Sequence, residues 1–268
     1  MARVWASICT AALLAAAGCG NVPPQPAANG RFSVLTFNVN YSKPKRAQVI
    51  DAIRQAGADV VCLQEADQAW EQALREELAG QYPQMLFRGG FFRAGGIAIL
   101  SRFPIAEEAC FRPKAGLFPV LLARVETPAG AVYFLNVHLR PPQWLGGPVH
   151  HRKEMEEALA KCEGLAPLIV LGDFNEPDTG AAVALLKARG MSDALDLCEP
   201  AAVTWRWQGN WATIGARLDH ILAEPPLRCL SARVITSEAS DHRPVLAVFQ
   251  STGRPVATSA PSAATSGR

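Results

Sequence analysis

After its first twenty residues the chain has no apolar run of the roughly 20 residues that a bilayer-crossing helix needs, which excludes a polytopic helical membrane protein. It has no glycine repeat, no heptad and no dominant block of one charge, so collagen, coiled coil and wholesale disorder are excluded too. Cys-x-x-Cys and Cys/His spacings are missing, which removes a structural zinc site. Gly-x-Ser-x-Gly is absent, as are Gly-x-x-x-x-Gly-Lys and Gly-x-Gly-x-x-Gly, so there is neither a serine nucleophile elbow nor a phosphate-cradling loop. What is present is 268 residues, 49% apolar and 19% charged. That suffices for a sizeable core in one large domain or two small ones.

The two ends read differently from the middle. Residues 1–18 carry one cation, Arg3, then a short apolar stretch and small residues leading to Cys19, the pattern of an export signal. Ala16-Ala17-Gly18-Cys19 resembles the lipobox of bacterial lipoproteins, with alanine where leucine is usual. Lipidation at Cys19 and a membrane-anchored place in the cell envelope are therefore expected; the alternative is an ordinary secreted protein. Residues 19–30 are proline-rich and read as a tether. Residues 251–268 are Ser, Thr, Ala, Pro and Gly with one valine and two arginines and read as a disordered tail, leaving 31–250 as the folded domain.

The chain has 26 Lys and Arg against 24 Asp and Glu, and Arg3, Arg254 and Arg268 lie outside the domain, so the folded body is close to neutral. A protein that clamps long polyanions carries a basic face. Affinity for nucleic acid would have to come from a local patch or a bound metal. Of seven cysteines, Cys9 lies in the signal and Cys19 is the lipidation site. Cys62 lies in an apolar run and reads as a buried free thiol, Cys110 and Cys162 have no evident partner, and Cys198 with Cys229 is the candidate pair.

From Phe32 onward, short apolar runs alternate with amphipathic segments and turns. Strands are expected at Phe32–Phe37, Val60–Leu63, Ile97–Leu100, Leu168–Leu171, Arg217–Leu222, Leu227–Val234 and Val245–Phe249, with a hairpin of 119–125 and 131–137 turning at Thr127-Pro128-Ala129-Gly130. Helices are expected at 45–57, where Ala47, Ile50, Ile53 and Ala56 form a stripe stopped by Gly57, at 68–79, from about His150 to Glu163, and from about Ala181 to Arg189. This is a mixed α/β body without an internal sequence repeat.

Polar residues gather just past the strand ends: Asn38, Glu65, His138, Asp173 and Asn175, with Asp219, Asp241 and His242 further on. Loops at the ends of a rigid sheet are where sites are assembled. Carboxylates and amides in such a set suit Mg²⁺ or Mn²⁺. His150 and His151, after Gly146-Gly147-Pro148, are expected in a solvated turn. Trp205-Arg206-Trp207 and Trp211 could stack bases or meet lipid headgroups, though packing under a long loop is the commoner arrangement.

In order along the chain, Phe37-Asn38-Val39-Asn40, Leu63-Gln64-Glu65, Ile99 to Ile105, Asn136-Val137-His138-Leu139, Gly172-Asp173-Phe174-Asn175, Arg217 to Leu222 and Ser240-Asp241-His242-Arg243-Pro244-Val245 resemble the signature blocks of the endonuclease/exonuclease/phosphatase (DNase I-like) superfamily. The resemblance spans 32–249. It implies an α/β (α+β) fold, a four-layer αββα sandwich of two mostly antiparallel sheets flanked by helices. It also implies roles. Glu65 beside Asn38 resembles the principal ligand of a divalent cation, with Asp241 near it as a second. Asp173 resembles the residue that orients and deprotonates the attacking water, and Asn175 the one that holds the phosphate. His138 and His242 resemble donors to phosphate oxygens, and Asp219 the carboxylate that fixes the His242 tautomer. His220 stands where relatives often carry tyrosine.

His138 within Asn-Val-His-Leu is similar to DNase I, neutral sphingomyelinases and inositol-polyphosphate phosphatases, where abasic-site endonucleases resembling exonuclease III carry a tyrosine-containing segment. DNase I pairs this histidine with a glutamate, and no acid between Glu77 and Arg102 corresponds to it. Arg102 and Arg140, with Arg88 and Arg93, are candidates for a phosphate-binding rim. The resemblance thus implies an exported Mg²⁺- or Mn²⁺-dependent phosphoester hydrolase, monomeric, with an extracellular nuclease leading. A phospholipase C on sphingomyelin-like diesters or a phosphatase on inositol or sugar phosphates is the alternative. A noncatalytic binding protein on the same fold is the distant one.

Overall fold

The computed structural model describes residues 30–43, 45–142, 147–209 and 211–252; the expected signal, Cys19 and nearly all of the expected tether and tail lie outside them. The chain opens β1 (Arg31–Asn38), α1 (Arg46–Ala56), β2 (Val60–Gln64) and α2 (Gln68–Leu78). In α1, Val49, Ile50 and Ile53 face inward, and Gly57 ends the helix in a left-handed conformation (φ 61) with its amide on the Ile53 carbonyl. In α2, Trp70, Leu74 and Leu78 recur every four residues, and the Asp67 side chain caps the amides of Ala69 and Trp70. There follow β3 (Gln84–Arg88), β4 (Ile97–Ser101), β5 (Ile105–Phe111), β6 (Val120–Thr127) and β7 (Gly130–His138), then α3 (Gly147–Leu159), β8 (Leu168–Asp173) and α4 (Ala181–Ala188). The chain closes with β9 (Ser192–Asp193), α5 (Ala194–Cys198), β10 (Trp205–Gln208), β11 (Thr213–Ala216), β12 (Asp219–Ala223), β13 (Leu227–Val234) and β14 (Val245–Ser251).

One six-stranded sheet runs β13-β14-β1-β2-β4-β3 and the other β5-β6-β7-β8-β12-β9, while β10 and β11 form a separate hairpin. Each large sheet contains one parallel pair, β1 with β2 and β7 with β8, and is otherwise antiparallel. One apolar layer lies between the sheets, including Phe32, Val34, Ile99, Phe134 and Phe249. A second joins the first sheet to α1 and α2 through Ile53 and Trp70, and a third joins the second sheet to α3 and α4 through Met155 and Leu186. This is the expected α/β sandwich with helices outside.

The expected strands are present with bounds moved by a few residues. The helix expected from His150 starts at Gly147 and ends at Leu159, with Pro148 in its first turn, where its missing amide hydrogen does no harm. β14 continues through Ser251, which pairs with Leu227, one residue into the expected tail. Strands β3, β5, β9, β10 and β11 and helix α5 were not expected. The candidate Cys198–Cys229 pair consists of free thiols, as do Cys62, Cys110 and Cys162; the two are neighbours, and the Cys229 thiol donates to the Ser231 carbonyl at 3.4 Å.

Candidate active site

Parallel strands put their carboxyl ends side by side, and both parallel pairs end at the same edge of the sandwich. Asn38 lies opposite Gln64 in register, and His138 opposite Asp173. Antiparallel β12 begins there, with Asp219 opposite Asp173. Beneath this edge the two sheets are tied through buried amides: Gln64 Nε2 donates to Asn136 Oδ1 at 2.7 Å, and Asn136 Nδ2 donates to the carbonyls of Leu63 and Ala98.

Asp173, 1% exposed, is the hub. Its Oδ2 accepts from Asn38 Nδ2 at 3.0 Å and faces His138 Nε2 at 3.5 Å and His242 Nε2 at 3.6 Å, while Oδ1 accepts from the amide of Asn175 at 2.9 Å. The Asn38 amide also donates to Glu65 Oε1 at 3.3 Å, and Glu65 Oε2 accepts from the Tyr41 amide. Glu65, Asn40 and Asn175 all hold left-handed backbone conformations (φ 60, 55 and 51), which non-glycine residues keep only where surrounding bonds impose them.

Burial raises the Glu65 carboxyl from 4.5 to about 7, against the lowering hydrogen bonds from Tyr41 and Asn38. An acid that resists ionising beside a second carboxylate is where a cation binds favourably. Asp173, Asp219 and His242 also bring ligand atoms within 4.8 Å of one another, and Asp219 Oδ1 is buried without a hydrogen-bond partner. The donors on the Glu65 side are all oxygen, which fits Mg²⁺ or Mn²⁺.

The two histidines are tuned in opposite directions. His242 Nδ1 donates to Asp219 Oδ2 at 2.9 Å. Burial alone would lower its pKa, but Asp219 and Asp173 outweigh burial and push it to about 10. His138 is lowered, by burial first and by the charge of His242, against Asp173 and the Ala94 carbonyl. That carbonyl, 3.2 Å from His138 Nδ1, takes the place of the missing acid. It fixes the ring orientation without adding a negative charge, and Phe118 stacks on the ring at 4.3 Å.

Six expected residues, Asn38, Glu65, His138, Asp173, Asp219 and His242, are thus brought together, and Asn175 adjoins them, its Nδ2 on the Leu139 carbonyl. Asp241 is engaged elsewhere: its carboxylate accepts from Asn40 Nδ2 at 2.7 Å and from Trp205 Nε1 at 3.3 Å, bracing the loops at the mouth. Arg102 follows the far end of β4 and pairs with Asp59 at 3.1 Å, so it does not line the site. Arg140 has its guanidinium 3.5 Å from Glu154 and hydrogen-bonded to the Ala115 carbonyl, with a side chain 19% exposed, so it is a framework group. Arg93 pairs with Asp67 at 2.6 Å and lies over Tyr41.

Two expectations reverse. His151 is no solvated turn: it is fully buried and lies 2.9 Å from Glu176. Trp207 and Trp211 do not pack under a loop; they are 51% and 99% exposed, in and beside the β10–β11 hairpin. Residues the sequence did not flag also matter. Thr204 Oγ1 accepts from the amides of Leu218 and Asp219, setting the start of β12, and Ser240 Oγ donates to the Asn38 carbonyl. Hydroxyls with such local duties carry no pattern in sequence.

The Endonuclease/Exonuclease/phosphatase family matches residues 35–242. Among solved structures, an endonuclease/exonuclease/phosphatase from Beutenbergia cavernae superposes with a TM-score of 0.72 at 20% identity, covering 85% of this chain and 73% of that one. TDP2 from C. elegans gives 0.67 at 16% identity, over 82% of this chain and 75% of that one. D. rerio TDP2 complexed with single strand DNA product gives 0.67 at 20%, over 83% and 100%. No curated protein matches the chain. The structural likenesses show the fold, and the match over 35–242 shows the family: the chain belongs to the endonuclease/exonuclease/phosphatase family, a family of phosphoester hydrolases.

Proposed function

We propose that the chain is an exported, divalent-metal-dependent phosphodiesterase acting first on nucleic acid. The observation that carries this is the convergence of Asn38, His138 and His242 on one oxygen of Asp173. Hydrolysis at phosphorus needs a water held and deprotonated, charge on the phosphoryl oxygens compensated, and a proton for the leaving oxygen. Asp173 Oδ2 is the buried acceptor for the water. His242, kept protonated by Asp219, is the donor. His138 holds its Nδ1 hydrogen on the Ala94 carbonyl, so the neutral ring presents a lone pair at Nε2 and serves to orient the water beside Asp173. This differs from the donor role that the resemblance implied for His138.

Glu65 and Asn38 would hold Mg²⁺ or Mn²⁺, which supplies positive charge against a phosphate oxygen. Export and lipid anchoring rest on residues 1–19. Exposed Trp207, which lines a groove with Asn40 and Asp241, and exposed Phe91 and Trp211 suit base stacking, and one structural neighbour is a TDP2 with a single-strand DNA product. The same aromatics suit a lipid interface, so phospholipid diesters form the second reading.

The test is nicking of supercoiled plasmid by residues 31–252 with Mg²⁺ or Mn²⁺. Chelator should abolish it, and Asp173→Asn should lower the rate about 10²–10⁴-fold without unfolding the protein. A folded, cation-binding protein that nicks nothing sinks the nuclease reading and turns attention to sphingomyelin-like diesters and inositol or sugar phosphates.

A further inference from the structure

Asn175 keeps its left-handed conformation (φ 51) because the next residue is pinned from three sides. Glu176 Oε1 accepts from the amides of Ala182 and Val183 at 2.8 and 2.9 Å at the start of α4. Its Oε2 faces His151 Nδ1 at 2.9 Å, and its carbonyl faces His220 Nε2 at 3.0 Å. His151, fully buried on α3, has its other nitrogen Nε2 2.7 Å from the carbonyl of Arg140, two residues beyond His138. A carboxylate and a carbonyl can only accept. The His151 ring therefore satisfies both bonds only when each nitrogen carries a hydrogen.

We propose that His151 is a positioning residue for the hydrolytic site: as a doubly protonated ring held between Glu176 and Arg140, it locks the strand end carrying Asp173 and Asn175 to the strand end carrying His138. The proposal rests on the hydrolase reading. The β7–β8 ladder stops at His138 and Asp173, and beyond it the loops are joined by the Leu139 amide on the Asp173 carbonyl, by Asn175 Nδ2 on the Leu139 carbonyl, and by this ring. Without the ring, the two loops keep only the two bonds at Leu139, and the Arg140 carbonyl loses its tie to Glu176. His220, on β12 beside Asp219, is bonded to Asp193 at 2.7 Å and adds the third catalytic strand to the same glutamate.

The charged groups facing His151 are Glu176 from the loop after β8, Glu154 from its own helix and Arg140 from the loop after β7. Burial pulls its pKa down, but Glu176, the Arg140 carbonyl and Glu154 outweigh burial and hold it above 6.5. The clamp is then closed below that raised value. A raised histidine contributes stability that is fully present below its ordinary value and is lost as pH rises through the folded value, so the clamp opens on the alkaline side.

The experiment compares wild type with His151→Gln, whose amide carries both hydrogens on one nitrogen and cannot donate to opposite sides. At about pH 6, kcat on the plasmid or a diester should fall about tenfold with KM within about twofold, and the gap should close as pH rises and the wild-type clamp opens. In parallel, long-range proton–nitrogen spectra of the wild type should show both His151 ring nitrogens protonated on the acid side of its ordinary value, at about pH 6. A folded His151→Gln with unchanged kcat, or a wild-type ring protonated on one nitrogen only, overturns the proposal. If the variant does not fold, the wild-type ring spectrum decides. A wild type that hydrolyses no phosphoester with either metal removes the hydrolase reading and the positioning role with it, an outcome distinct from an active wild type matched by its variant.

Discussion

Asp219 acts through one oxygen on His242 and leaves the other buried and unpartnered. Asp219→Asn keeps the size and an acceptor for the ring but removes the charge that holds His242 at about 10. Wild type should keep the His242 proton, and the stability that comes with it, until pH rises through about 10. In Asp219→Asn the alkaline limb of the kcat profile should move to lower pH, with kcat at neutral pH down about 10²–10⁴-fold; a pH–rate profile checks both. Glu65 runs the other way. A carboxyl raised from 4.5 to about 7 makes the folded state bind the extra proton, so stability falls as pH rises through that window. A divalent cation competes with that proton. Mn²⁺ should therefore raise the melting temperature more above about pH 7 than below it, and Glu65→Gln should flatten the difference in a thermal-shift titration. The chemistry of these residues was legible in sequence because acids, amides and histidines past strand ends have few other uses in such numbers. The Ala94 carbonyl was not, since a backbone oxygen leaves no mark on residue type.

At the level of elements, the sequence showed what periodicity can show. Strand β2 is a buried apolar run and α2 repeats its contacts every four residues, so both were found. Strand β5 contains Glu107-Glu108, which interrupts its apolar pattern, and the β10–β11 hairpin presents Arg206, Trp207 and Gln208 to solvent, so neither has a buried face to reveal it. The burial of His151 leaves no mark in the sequence because its partner Glu176 is 25 residues away, and an adjacent His-His pair after glycines and proline reads as surface. Gly172 shows a motif residue acquiring its physical reason. It holds φ 139, and a Cβ there would lie 1.9 Å from the Val137 carbonyl oxygen, between the paired strands β7 and β8. Gly172→Ala should therefore cost about 3 kcal/mol or more and part the His138–Asp173 register. Urea unfolding would measure the first effect and loss of nicking the second; a variant as stable as wild type would contradict the clash.

On the scale of the whole molecule, the site exists only because two sheets meet at one edge, and whatever fixes the sheets against each other fixes the site. Helix α5 follows β9 directly at the edge of the second sheet and packs on β13 of the first, and at that crossing the thiols of Cys198 and Cys229 are neighbours. Burial, with Cys198 as neighbour, pushes the Cys229 thiol up to about 12, so it reacts slowly as the attacking partner. Cys198 is exposed and is the sulfur an external disulfide oxidant would reach first. If the protein is exported as residues 1–19 suggest, it meets such an oxidant. The Cys198 thiolate attacks the oxidant's disulfide and releases one oxidant thiol, giving a mixed disulfide; Cys229 then attacks the Cys198 sulfur and releases the second. Closing the intervening loop of about 30 residues should stabilise the fold by about 3–4 kcal/mol in the chain-entropy view. Protein prepared with oxidised glutathione should accordingly show two fewer titratable thiols and a higher melting temperature, both reversed by dithiothreitol and both absent in Cys198→Ser. An unchanged thiol count after oxidation would mean that the two sulfurs stay a reduced, packed pair, and that the polar ties through Gln64, Asn136 and Asn38 and the apolar layer hold the sheets without a covalent link.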